Sequence, residues 1–84
     1  MHYVYVLRSL KDGKFYVGYT ENLEKRIAEH NDGKSASTKS RIPLELVYCE
    51  ICKNKVDALR RERYLKTTYG KRYIKNRIKN DLTR

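Results

Sequence analysis

Residues 3–20 read YVYVLRSLKDGKFYVGYT. β-formers alternate on both sides of Lys11-Asp12-Gly13-Lys14, and Asp-Gly supplies the positive φ that a tight hairpin needs. The stretch therefore predicts a strand over Tyr3–Ser9, a turn, and a second strand over Phe15–Tyr19. With Asp12-Gly13 as a two-residue loop, Lys11 pairs with Lys14, Ser9 faces Tyr16 and Leu7 faces Gly18; a longer loop shifts that register. Side chains alternate along a strand, so Tyr3, Tyr5, Leu7, Tyr16 and Gly18 share one face. The hairpin carries Tyr3, Tyr5, Tyr16 and Tyr19, which are either ordinary strand residues or placed phenols.

Beyond the hairpin, Thr20 or Asn22 can cap a helix that runs to about His30, and Asn31-Asp32-Gly33 ends it. GKSASTKSR is a small, polar, basic loop without a core pattern. Pro43 leads into a third strand, Leu44–Cys52. Asn54 caps a second helix, with Asp57 completing an imperfect capping box, and Gly70 stops it. A basic helix over Lys71–Lys79 follows, and the last residues fray. The order ββαβαα predicts an α+β domain with a three-stranded, mainly antiparallel sheet flanked by helices. At 84 residues the chain has room for one domain, 1–84.

Charge is the strongest bulk signal. Residues 1–52 carry eight Lys/Arg against seven Asp/Glu, whereas residues 53–84 carry twelve against three. So lopsided a charge predicts a polyanionic partner, with nucleic acid first and a solvated basic surface as the alternative. An anionic membrane surface fits poorly, because the basic region lacks a strip of large apolar residues. No apolar run approaches the roughly 20 residues of a membrane helix. The N-terminal stretch lacks a secretory layout, so a cytoplasmic location is expected. Cys49 and Cys52 form a CxxC, but in a strand they point to opposite faces, which is poor geometry for a metal. They read as reduced structural thiols.

Both helical stripes are broken by polar groups. Leu23, Arg26, Ile27 and His30 fall on one face of the first helix, and Glu62 lies within the inward stripe of the second. Burying such groups unpaired is costly, so they either pair with one another or line a polar cleft. Tyr5, Tyr16, Gly18, Arg26, His30 and Glu62 together suit phosphoryl transfer. Glu62 could hold a cation, Arg26 a phosphate oxygen, and a Tyr or His the attacking water. The structural alternative is a Glu62–Arg26 or Glu62–Lys ion pair.

At these residues the chain resembles the GIY-YIG nuclease superfamily. The signatures stand as Tyr3-Val4-Tyr5 and Tyr16-Val17-Gly18, followed by YVGYTENLEKRIAEHNDG with Arg26 and ALRRERYLK with Glu62. The resemblance covers nearly the whole chain and is closest to small stand-alone bacterial members; the catalytic domain of excision-repair nucleases is of the same kind. It implies a DNA endonuclease with one Mg²⁺ or Mn²⁺, structure- rather than sequence-directed, and a link to DNA repair. By position it implies catalytic Tyr5, Tyr16, Arg26 and His30, a metal on Glu62, and supporting roles for Gly18 and Thr20.

Tyr3 replaces the signature Gly, and Tyr19 stands where repair-type members carry Lys; Lys39 is the nearby cation that could compensate. Many members also use an Asn near the C-terminus, where this chain has Asn76 and Asn80. Lys39, Arg41, Lys71, Arg72 and Lys75 are the expected nucleic-acid contacts, and exposed tyrosines could stack on unpaired bases. RNA stays open as a substrate. Two other readings remain: a binding module with weak or no catalysis, and a catalytic subunit that takes its specificity from a protein partner. A monomer or weak dimer is expected.

Overall fold

In a computed structural model, which describes residues 1–82, the hairpin forms with a longer turn than two residues. β1 (His2–Ser9) pairs antiparallel with β2 (Phe15–Thr20), placing Tyr5 opposite Gly18 and Leu7 opposite Tyr16. The expected register, with Leu7 opposite Gly18, is thus corrected by two residues. Ser9 explains the shift. Its N–H donates to the Lys14 carbonyl (3.0 Å), and the Gly13 N–H donates back to the Ser9 carbonyl (2.8 Å). Its hydroxyl accepts from the Lys11 and Asp12 amides at 3.1 and 3.2 Å. The loop so closed spans 10–14, and Gly13 takes φ 73°, a conformation glycine adopts without strain. A shift of two residues leaves every side chain on its expected face.

β3 (Leu44–Cys52) joins the other edge of β1, giving an antiparallel sheet of order β2-β1-β3. A bulge at Val6/Leu7 leaves Val47 without a direct partner between Leu46 and Tyr48. One sheet face, through Val4, Val6 and Val17, packs on Ala58 and Leu65 of α2 (Lys55–Leu65) and Ile74 of α3 (Thr68–Arg77). The other, through Tyr5, Leu7 and Leu44, packs on Leu23 and Ile27 of α1 (Leu23–Asn31). The result is a three-layer α+β domain, closed by a short α4 (Lys79–Leu82). Cys52 packs on the α2–α3 side, Cys49 lies beside Tyr5 on β1, and both thiols are free. Among the described residues no helix is long and apolar enough to cross a membrane.

Side-chain caps set the helix starts. Asn22 accepts from the Lys25 amide, Asn54 from the Val56 and Asp57 amides, and Thr67 from the Gly70 amide. Gly70 does not stop α2, as the sequence suggested. It lies in the first turn of α3, because the two helices cross there in close contact. A Cβ at Gly70 would run into the Tyr64 carbonyl oxygen and the Leu65 backbone, with the Leu65 carbonyl carbon at 2.8 Å. The helix expected over Lys71–Lys79 accordingly begins at Thr68 and ends at Arg77. Expected fraying at 83–84 lies outside the described residues. The loop after α1 holds more order than its composition suggested. Ser35 and Thr38 are buried, and a 3₁₀ turn spans Lys39–Arg41.

Candidate active site

The α1 face of the hairpin brings the phenols together. Tyr5 and Tyr16 ring centroids lie 6.4 Å apart, and the His30 ring meets both edge-on at 5.7 and 5.1 Å. The Tyr5 hydroxyl is 2.8 Å from His30 Nε2, and His30 Nδ1 is 2.7 Å from Thr38 Oγ1. Gly18 makes room for this arrangement, since a Cβ there would fall on the Tyr5 ring, with Cε1 at 2.9 Å. Arg26 pairs with Glu29 at 3.2 Å, and its guanidinium charge acts on the Tyr5 phenol. Thr20 bonds the Asn22 amide at 3.1 Å and so shapes the turn into α1.

Proton positions follow from counting donors and acceptors. A buried phenol must place its one proton, and His30 Nε2 is the partner the Tyr5 hydroxyl has, so the proton goes there. His30 then carries its own proton on Nδ1 and donates it to Thr38. Titration shifts agree. Burial pushes the Tyr5 phenol above its ordinary value, against the pull of the nearby Arg26 guanidinium. Burial, and then the Arg26 charge, pull His30 below its ordinary value. Tyr5 stays protonated and His30 neutral at pH 7.

Thr38 escaped the sequence reading. Its signal was a run of small hydroxyl residues eight positions after a histidine, which is weak by itself. Thr38→Val would leave the Nδ1–H without an acceptor at a fully buried site. The expected cost is about 1–3 kcal/mol. It would appear as a lower urea midpoint at unchanged slope, and Thr38→Ser should recover most of it.

Exposure divides the predicted residues. Tyr5 and His30, at 1% and 0% exposure, lie beneath the surface. Tyr16 is half-buried, and the Arg26 side chain is 32% exposed. Glu62 is near enough for its charge to act on the Tyr5 phenol. Of the two ion pairs weighed as the structural alternative, Glu62–Arg26 does not form and Glu62–Lys does. Arg26 takes Glu29, and Glu62 takes Lys66 one turn along α2 at 3.3 Å, with Lys66 half exposed. Among the described residues no three His, Cys, Asp or Glu side chains converge as a protein-built metal cage. A lone carboxylate still suits Mg²⁺ or Mn²⁺, which keep several waters and take oxygens from substrate phosphate. Glu62 fits that donor chemistry, and an exposed i,i+4 lysine is a weak competitor.

The expected nucleic-acid contacts separate into different places. Arg41, Lys71 and Lys75 line a groove of about 510 Å³ with Lys14 and the hairpin turn. Asp12 and the Phe15 carbonyl hold Arg41 there, each at 3.3 Å. Lys39 is exposed on the 3₁₀ turn. Arg72 lies elsewhere on α3, over the Tyr69 ring at 5.8 Å. The groove and the phenol cluster share no lining residue.

Comparison with known proteins gives a consistent result. The GIY-YIG catalytic domain matches residues 1–79. A UPF0213 protein of Bacillus licheniformis is 46% identical over 80 residues, covering 90% of this chain and 81% of that one. A UPF0213 protein of Staphylococcus haemolyticus is 52% identical over 67 residues, covering 79% and 80%. The solution structure of a UPF0213 protein from Bacillus halodurans is similar with a TM-score of 0.54 and 37% identity, over 87% of this chain and 80% of that one.

Proposed function

The chain belongs to the GIY-YIG catalytic-domain family, and on that premise we propose that it is a metal-dependent endonuclease hydrolysing DNA phosphodiesters by recognition of structure rather than sequence. One observation carries the reading. Partly exposed Arg26 and Tyr16 accompany a buried Tyr5–His30 pair, and the Glu62 charge reaches the Tyr5 phenol. An ordinary core would fill these inward positions with apolar side chains, because buried polar groups are costly.

The roles follow from depth. Arg26 and Tyr16 are the groups that meet substrate. Arg26 binds a non-bridging phosphate oxygen as charge builds at phosphorus. Tyr16 orients the attacking water. Tyr5 and His30 are positioning residues: His30 holds Tyr5 and backs the Tyr16 ring, and Glu29 holds Arg26. A divalent cation on Glu62 would supply further neutralisation of the phosphate. Water gives a proton to solvent as it bonds to phosphorus, the phosphorus–oxygen bond to the leaving nucleotide breaks, and that oxygen takes a proton from solvent. The groove of Lys14, Arg41, Lys71 and Lys75 binds backbone phosphates without reading bases.

A second reading, binding with weak turnover, draws on Tyr19. This position, where related repair enzymes carry Lys, is taken up by His2, stacked at 5.9 Å and hydrogen-bonded at 2.8 Å. Arg26→Ala separates the two. The nuclease reading expects a kcat loss of about 10²–10³-fold with KM nearly unchanged and the domain folded by circular dichroism. Wild-type protein that binds DNA tightly, but whose trace turnover Arg26→Ala does not reduce, would favour the binding module.

A further inference from the structure

The mechanism above leaves unused a group of aromatic and arginine side chains on the outer face of α2 and α3. Tyr69 is 70% exposed, and Tyr64 and Tyr73 are 41% and 39% exposed. Tyr69 and Tyr73 are one turn apart on α3. Arg61 lies over both the Tyr64 and Tyr73 rings, at 5.1 and 4.8 Å, and Arg72 lies over Tyr69. The Tyr64–Arg61–Tyr73 group and the Tyr69–Arg72 pair thus sit one turn apart along α3.

It is also held in place. Glu50 on β3 binds Arg61 through two bonds, 2.9 and 3.0 Å long, and accepts from Tyr48 at 2.8 Å. Burial would raise the Glu50 carboxyl, but those bonds overcome it and keep it ionised. Glu50 is thus committed beneath Arg61 and presents no free negative charge. The outer side chains are chiefly flat aromatic rings and arginines, with Asp57 beside Arg60, Arg61 and Tyr64 at one end, and they lie in residues 53–84, which carry twelve Lys/Arg against three Asp/Glu. Flat rings with interleaved cations suit stacked bases joined by phosphates.

We propose that this face is a stacking platform for single-stranded nucleic acid, with bases on Tyr69 and Tyr64 and phosphates near Arg72. It rests on the nuclease reading and narrows the substrate class to DNA with an unpaired strand beside the cut, such as a flap or branch. The platform lies on the α2–α3 side of the sheet, and the phenols on the α1 side, so one strand must pass the sheet edge to meet both.

The test compares binding of a short oligothymidylate with that of an abasic strand of equal length, which keeps the phosphates and lacks the bases. The wild-type protein should prefer oligothymidylate by about tenfold. Tyr69→Ala should bring that ratio close to one, and Tyr69→Phe should keep it. Tyr69 is mostly exposed, so the substitution does not threaten folding. A wild-type ratio near one, or a ratio that Tyr69→Ala leaves intact, would overturn the platform even if duplex and strands still bind in a salt-dependent way. Self-association that Tyr69→Ala abolishes, with no base preference, would assign the face to a second copy of the chain. No binding to any nucleic acid at low salt would remove the platform and the nuclease reading together.

Discussion

Glu62→Gln should reduce metal-dependent cleavage by about 10²-fold or more while DNA affinity holds or rises. The substitution keeps the size of the side chain and removes the charge that would hold the cation. In the free protein Glu62, its side chain 17% exposed, has as partner Lys66 at 54% exposure, and an i,i+4 pair with one end in solvent contributes only about 0.3–0.5 kcal/mol. The variant should therefore melt close to the wild type. Affinity should not fall, because a carboxylate beside a phosphate repels it until a cation lies between them. Single-turnover cleavage and fluorescence anisotropy on the same substrate make the check. Equal loss of binding and cleavage, with a lower melting point, would mean that Glu62 serves the fold.

Gly70→Ala should destabilise the domain by about 3 kcal/mol, toward the upper end for an overpacked core. Helix propensity alone predicts the opposite sign, since alanine is favoured over glycine by about 1 kcal/mol inside a helix. Steric contact decides the sign here. The new methyl would meet backbone atoms of Tyr64 and Leu65, which cannot swing aside as a side chain can. Relief requires α3 to move away from α2, and Leu65 and Ile74 are both fully buried at that junction. Against a typical total of about 5–15 kcal/mol, the loss would be plain in urea denaturation. A neutral or stabilised variant would show that the helices separate easily.

These two positions also mark what the sequence could and could not convey. Strand alternation in the hairpin assigned Tyr5, Tyr16 and Gly18 to one face correctly, because a register error of two residues does not alter the face. The register itself was set by the Ser9 side chain closing a wider loop, and composition of the turn does not reveal that choice. Gly70 looked like a helix stop because glycine usually ends helices. Its actual reason, a close crossing of two backbones, exists only in three dimensions. The same limit hid Thr38. A polar loop without apolar periodicity gives no sign that one hydroxyl turns inward to satisfy a buried histidine. Broken stripes at Arg26, His30 and Glu62 did point to the cluster. Their depth was not legible: Tyr5 and His30 both lie below the surface, which is the ground for proposing that they position rather than touch substrate.

The central claim is that this cluster hydrolyses DNA with a metal ion. The most direct measurement incubates purified protein with labelled single-stranded, duplex, flapped and branched DNA in Mg²⁺, Mn²⁺ or EDTA. The account predicts cleavage in metal, none in EDTA, and preference for substrates that join duplex to an unpaired strand. Tight, salt-sensitive binding without cleavage in either metal would contradict it, and would leave the phenols as packing on a nucleic-acid binding domain.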